Sequence, residues 1–192
     1  MAAVNINRQR GFLLIEVLVA LLITTVGLLG LAKLQATAQQ AEIESYQRSQ
    51  ALVLVNEVVE HINANRYAAN CFAFTTSAAS GTPYLGADGA DHAAAPVCAS
   101  GTNPAAAVNA MTLWDQLLKG AAESSGGAQI GAIVGARGCV SFDAATNTYT
   151  VAVAWQGITD TVTPAVACAK GLYGAETKRR VVSSTLQIAN LQ

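Results

Sequence analysis

The chain has 192 residues, with 11 Lys and Arg against 12 Asp and Glu and a formal net charge of −1, so no bulk electrostatic field argues for nucleic acid or acidic membranes as partners. Charged residues make up only 12%, against roughly 25% in an average soluble domain. Setting aside a leader and a long N-terminal helix leaves roughly 125 residues, enough for one modest core and too few for two. A short polar and basic segment, MAAVNINRQR, opens the chain; Gly11 follows, and then an apolar run from Phe12 to Ala32 whose single charge is Glu16. About 20 apolar residues at 1.5 Å rise span a bilayer core of roughly 30 Å, so this run is long enough to be a transmembrane helix. A carboxylate in hydrocarbon costs on the order of 2.5 to 3.5 kcal/mol even on insertion scales, which marks Glu16 as a functional candidate. The plainer reading is an interfacial Glu16 at the helix end that snorkels to the headgroups. Arg8 and Arg10 precede the run, whereas Lys33 is followed by no other basic residue until Arg48. The positive-inside rule therefore puts the N-terminus in the cytoplasm and exports the remainder.

This order of features, with GFLLIEVLVALLI at its centre, closely resembles the class III signal of type IV pilins. The resemblance implies that a prepilin peptidase cuts between Gly11 and Phe12 on the cytoplasmic side and that the new terminal Phe12 is N-methylated. Glu16 then becomes the fifth residue of the mature chain, where the family keeps its glutamate. Leu13 departs from the polar Thr or Ser that is usual there. The rival is a conventional secretory signal, since Ala36-Thr37-Ala38 fits an A-x-A site. That reading needs a hydrophobic region longer than the usual stretch of roughly 7 to 15 residues, one that starts at or contains Glu16, and it leaves the Gly11-Phe12 junction unexplained.

After Lys33 the sequence turns polar and helical, without Pro before Pro83 or Gly between Gly30 and Gly81. Ile43, Tyr46, Leu54, Val55, Val58, Val59 and Ile62 recur at helical spacing, and Glu42, Gln47, Arg48, Glu57 and Glu60 take the other positions, which predicts an amphipathic helix continuing to about Asn65. Gly27 and Gly30 each cost about 1 kcal/mol relative to Ala and either let the helix bend or permit close helix packing. Residues 67 to 108, with three of the four prolines, read as loop. Four cysteines, Cys71, Cys98, Cys139 and Cys168, lie on the exported side, where an even count means two disulfides and three pairings are open. Cys71 with Cys98 and Cys139 with Cys168 is favoured because each closes a short loop, of under about 30 residues, worth roughly 3 to 4 kcal/mol.

NAMTLWDQLLKGA reads as a short helix with Met111, Trp114, Leu117 and Leu118 on one side, capped by Asn109 or Thr112 and ended by Gly120. In TYTVAVAWQG, Tyr149, Val151, Val153 and Trp155 alternate with smaller residues, and CVSFD before Ala144 to Asn147 supplies a hairpin partner. RRVVSSTLQIANL alternates with Val182, Leu186 and Ile188 on one side. With IGAIV near Ile130, these runs predict an antiparallel sheet of three or four strands with one face on the amphipathic helix. The expected class is α+β, a long N-terminal helical spine packed on a small antiparallel sheet.

Chemistry-bearing residues are sparse. Asp88, Asp91 and His92 have the ingredients of a cation loop without the full ligand spacing, so a solvated loop is the reading. His61, among Val58, Val59, Ile62, Glu57 and Glu60, reads as a helix-surface histidine, and Ser183 and Ser184 have no base beside them. Lys178, Arg179 and Arg180 could touch phosphates, but three cations before an edge strand read better as a solubilising rim. No enzyme is expected, and no cofactor or metal. GLLGLAKLQ, the helix ending EVVEHINANR, the cysteine-containing loop, the Trp-bearing helix and YTVAVAWQG together look like the PilV-type minor pilins. That resemblance implies a pilin-like fold: residues 1–11 a cleaved leader, 12–32 a transmembrane and assembly helix, 33–66 its amphipathic continuation, and 67–192 a periplasmic globular region. It implies a low-abundance subunit of the inner membrane and then the pilus that primes or caps assembly. Its partners would be other minor pilins, the major pilin, the prepilin peptidase and the inner-membrane pilus assembly machinery, with no nucleic acid. The alternatives are a minor pseudopilin of type II secretion, and a membrane-anchored periplasmic binding domain that never polymerises.

Overall fold

The computed structural model describes residues 14–87, 98, 104–122, 124–125, 128–129, 131 and 133–188. The leader, Gly11, Phe12, Ile130 and the Asp88, Asp91, His92 loop lie outside them. The chain separates into one compact unit ending at Ile43 and a second from Glu44 onward. Helix α1, Leu14–Ala64, contributes to both.

In the first unit every described residue from Leu14 to Ile43 is solvent-exposed. In the second unit α1 buries Gln47, Ala51, Val55, Val58 and Ile62, a line at steps of three and four that keeps one helix face inward. Two residues assigned to that face by periodicity do not join it. Ile43 is 48% and Tyr46 59% exposed, and the buried line starts instead at Gln47, one residue and therefore about 100° of helix rotation away from Tyr46. The helix closes at Asn65, whose side-chain amide donates to the His61 carbonyl at 2.9 Å, and a 3₁₀ helix, Arg66–Phe72, follows.

Helix α2 runs Pro104–Leu118, beginning five residues before the predicted start at Asn109. The physical reason is PAAA: Pro suits a helix's first turn, and three alanines are strong helix formers even though they resemble a loop of small residues. Asn109 and Thr112 consequently sit inside the helix and cap nothing; the Thr112 hydroxyl donates to Val108 O at 2.9 Å. Gly120, at φ +101°, turns the chain out of the helix, as a residue in left-handed backbone does with least strain when it is glycine. Ala107, Met111, Trp114 and Leu118 face the core.

Among the described residues strands β1, Ser124–Ser125, and β2, Ala128–Gln129, pair only with each other. The expectation that IGAIV adds a strand to the main sheet is therefore not met: Gly131 and Ile133 lie outside any strand, although Ile133 is buried in the core. The main sheet is antiparallel in the order β3, Arg137–Asp143, β4, Thr148–Gln156, and β5, Arg179–Gln187. At the β3–β4 turn Asp143 accepts from the Ala145 N–H at 3.0 Å and the Thr146 hydroxyl at 2.8 Å, a local bond pattern that fixes the reversal.

On one face Val140, Tyr149, Val151, Val153, Trp155 and Val182 join the buried α1 and α2 residues in a single core. Gly138 of β3 lets α2 approach, because a Cβ there would lie 2.6 Å from Leu118 Cδ1 and against the Trp114 ring. The Trp114 indole donates to Leu54 O at 3.0 Å, tying α2 to α1. The opposite face is buried too, in a smaller cluster of Tyr84, Cys139, Ala152, Ala154, Cys168, Ala169 and Tyr173. The fold is α+β and pilin-like, a long N-terminal helix whose second part packs on a small three-stranded antiparallel sheet.

Candidate assembly helix

The first part of α1 is the site candidate. Leu14, Leu18, Leu22, Val26 and Leu29 are 62–86% exposed, and large apolar residues between them are exposed too, such as Ile15 at 63% and Leu21 at 58%. Apolar surface on all sides of a helix has no stable place in water and suits lipid or a bundle of similar helices. The two threonines in this stretch are self-satisfied: Thr24 donates to Ala20 O at 2.7 Å and Thr25 to Leu22 O at 2.9 Å, which removes the cost of placing bare hydroxyls in hydrocarbon. A Cβ at Gly27 or at Gly30 would meet nothing within 4 Å, so packing within the chain does not demand either glycine. Glu16 lies in the first turn of the described helix, where a carboxylate also complements the helix dipole, and it forms no ion pair or hydrogen bond among the described residues.

The second unit holds the other predicted positions. Cys71 is joined to Cys98 with their Cα atoms 5.3 Å apart, and Cys139 to Cys168 at 5.7 Å. His61 sits on the helix surface with Nε2 4.0 Å from Glu57; burial raises the Glu57 pKa, opposed by the charge of His61. Ser183 is exposed on β5. Among the described residues no group of three or more His, Cys, Asp or Glu is arranged to hold a metal.

The basic cluster needs correction. Arg179 is 1% exposed rather than part of a solvated rim. Its guanidinium bonds Glu176 at 2.7 Å and donates to Val166 O at 2.7 Å and Cys168 O at 3.2 Å, holding the loop that covers the outer sheet face. Tyr173 reinforces that cover, with Oη 2.7 Å from Gly135 O and 3.2 Å from Ala154 O; burial pushes its pKa up. Arg180 meets Glu44 at 3.2 Å, and Glu44 also accepts from the Ile158 and Thr159 N–H groups at 3.1 and 2.9 Å. Burial opposes ionisation of Glu44, but the Thr159 bonds, the Arg180 charge and the Ile158 N–H outweigh it and lower its pKa. Glu176 three residues before Arg179 was a readable sign of that pair; nothing near Glu44 in sequence announces its partner.

Residues 6–32 match the family described as the prokaryotic N-terminal methylation motif. No curated protein and no solved structure matches the chain. The matched segment spans the Gly11-Phe12 junction, Glu16 and both glycines of the exposed helix, and it implies a prepilin peptidase and pilus assembly machinery as partners. Together with the apolar helix it fits an inner-membrane anchor, and it supports a structural protein of the type IV pilin or pseudopilin kind rather than an enzyme.

Proposed function

We propose that the chain is a minor pilin of a type IV pilus, PilV-type, priming or capping assembly beside other minor pilins and the major pilin. The observation that carries this reading is Glu16 at the start of a helix apolar on every side, within the methylation motif. On this reading residues 1–11 are a leader removed by the peptidase, 12–32 insert in the membrane, 33–66 extend the helix, and 67–192 form the periplasmic region. The Cys71–Cys98 and Cys139–Cys168 bridges suit that oxidising compartment.

Cleavage after Gly11 creates a positive α-amine on Phe12. In a staggered bundle the partner of Glu16 is then the amine of a neighbouring subunit. A carboxylate in lipid is tolerated when such a partner compensates its desolvation, so Glu16 sets the register at which an arriving subunit docks. Gly27 and Gly30 give neighbouring helices room for close approach. Glu16→Leu should be processed and inserted normally but recruited poorly, which cross-linking in membranes and immunoblotting of sheared pili would reveal. Recruitment of Glu16→Leu at the wild-type level would reduce Glu16 to a snorkelling residue. Wild-type protein absent from sheared pili but found in a secretion complex would favour the pseudopilin, and protein found in neither would favour the non-polymerising anchor.

A further inference from the structure

The two edges of the main sheet are treated differently. Along β3, Gly138 exchanges backbone bonds with Leu85 at 2.8 and 2.9 Å, and Val140 bonds Thr75 through its carbonyl at 2.9 Å and its N–H at 3.1 Å. These bonds fix the alternation of the ladder: even-numbered β3 residues point outward and odd-numbered ones toward β4. Carried across the register, Val181, Ser183, Thr185 and Gln187 of β5 direct their N–H and C=O groups away from β4. Among the described residues none of those backbone groups has a hydrogen-bond partner. From Val181 to Gln187 the strand, VVSSTLQ, contains no charge and no proline, so it lacks the devices that ordinarily discourage an edge from pairing.

At the start of this edge lies a cleft of about 490 Å³ lined by Glu44, Arg48, Trp155, Thr161, Arg180 and Val182. Glu44 and Arg180 are engaged with each other. Arg48 is exposed and has no ion pair among the described residues. Among the described residues the cleft therefore presents one unpaired, exposed cation, which selects a carboxylate-bearing occupant. A second copy of β5 does not supply one. Antiparallel self-pairing centred on Ser184 places Gln187 and Ile188 opposite Val181 and Arg180, and parallel pairing sets Arg180 beside Arg180.

We propose that β5 receives an extended segment of a different polypeptide as a fourth strand, with an acidic side chain of that segment seated against Arg48 at the mouth of the cleft. Main-chain bonds supply the affinity and the carboxylate fixes the end of the register. This surface lies in the second unit and does not depend on how the N-terminal helix is used.

The test uses the full chain, as extracted from membranes, in detergent micelles and a blocked peptide of alternating valine and threonine with an aspartate at each end, so that either strand direction brings a carboxylate to Arg48. Binding should slow hydrogen exchange at the Val181, Ser183, Thr185 and Gln187 amides by at least about tenfold. A peptide with lysines at its ends should bind about tenfold more weakly, and Arg48→Gln should erase the difference between the two. Ser183→Pro removes an N–H that the β4–β5 ladder does not use, so it should abolish binding while the other strand amides keep their protection. No slowing at saturating peptide, equal binding of the lysine peptide to the native chain, or protection of the four amides that grows with protein concentration alone would each overturn the proposal, the last by showing self-pairing.

Discussion

Replacing Arg179 with methionine tests how the outer sheet face is held. Methionine keeps most of the apolar stem, so the cavity left is small and the loss is polar. The guanidinium's bonds to Val166 O and Cys168 O, at 2.7 and 3.2 Å, are worth roughly 1 kcal/mol each, because both carbonyls lose their donor in a covered site. The pair with Glu176, whose side chain is 25% exposed, adds about 1 kcal/mol after solvent screening. Arg179→Met should therefore cost about 3 kcal/mol. In urea unfolding of the full chain in detergent, followed by the fluorescence of buried Trp114 and Trp155, that is a midpoint about 1 to 2 M lower. The pH dependence carries a second signature. Hydrogen bonding from Arg179 lowers the Glu176 pKa in the folded state, so its contribution is full above the ordinary glutamate range and disappears as pH falls through the lowered folded value. Arg179→Met should reduce that acid-side loss, leaving the part due to the Gly171 N–H and the Lys170 charge. A cost below about 0.5 kcal/mol with an unchanged acid profile would show Arg179 behaving as a solvated surface cation.

Two further outcomes concern packing and cross-links. Gly138→Ala should cost about 1 to 3 kcal/mol in the same urea titration, because its methyl would meet Leu118 Cδ1 at 2.6 Å and the Trp114 ring; a neutral result would mean that α2 is free to move outward. Replacing Cys139 and Cys168 together by serine, across a separation of 29 residues, should lower stability by roughly 3 to 4 kcal/mol, and an unchanged midpoint would mean that Arg179 and Tyr173 hold the outer loop without the bridge.

Much of the fold was legible because it rests on local periodicity. The absence of Pro and of Gly between Gly30 and Gly81 announced α1, and alternation about the Ala144 to Asn147 turn announced β3 and β4. Where the reading failed, the deciding information was not local. The alanines after Pro104 look alike in a helix and in a loop until Trp114 and Leu118 find Gly138. Ile133 is buried by tertiary packing without joining the sheet. Ala152 and Ala154 are small because a loop held by Arg179 and the Cys139–Cys168 bridge lies over them, and a basic triplet gives no sign of which member turns inward. For the candidate site, the apolar run and Glu16 stood out by composition alone, since a lone carboxylate in such a run needs a reason. The Glu44 contacts with Ile158, Thr159 and Arg180 join residues more than a hundred positions apart, which no spacing rule reaches.

The central claim is that the N-terminal segment is a prepilin signal whose processed end begins an assembly helix. Intact-mass analysis of the protein extracted from membranes, with sequencing of its terminal peptide, tests this most directly. The account predicts a single mature species that starts at Phe12 and is one methyl group heavier than the unmodified chain. A mature chain starting at Gln39 would establish a conventional secretory signal, and an uncut chain beginning at Met1 would establish a plain membrane anchor; either would contradict it.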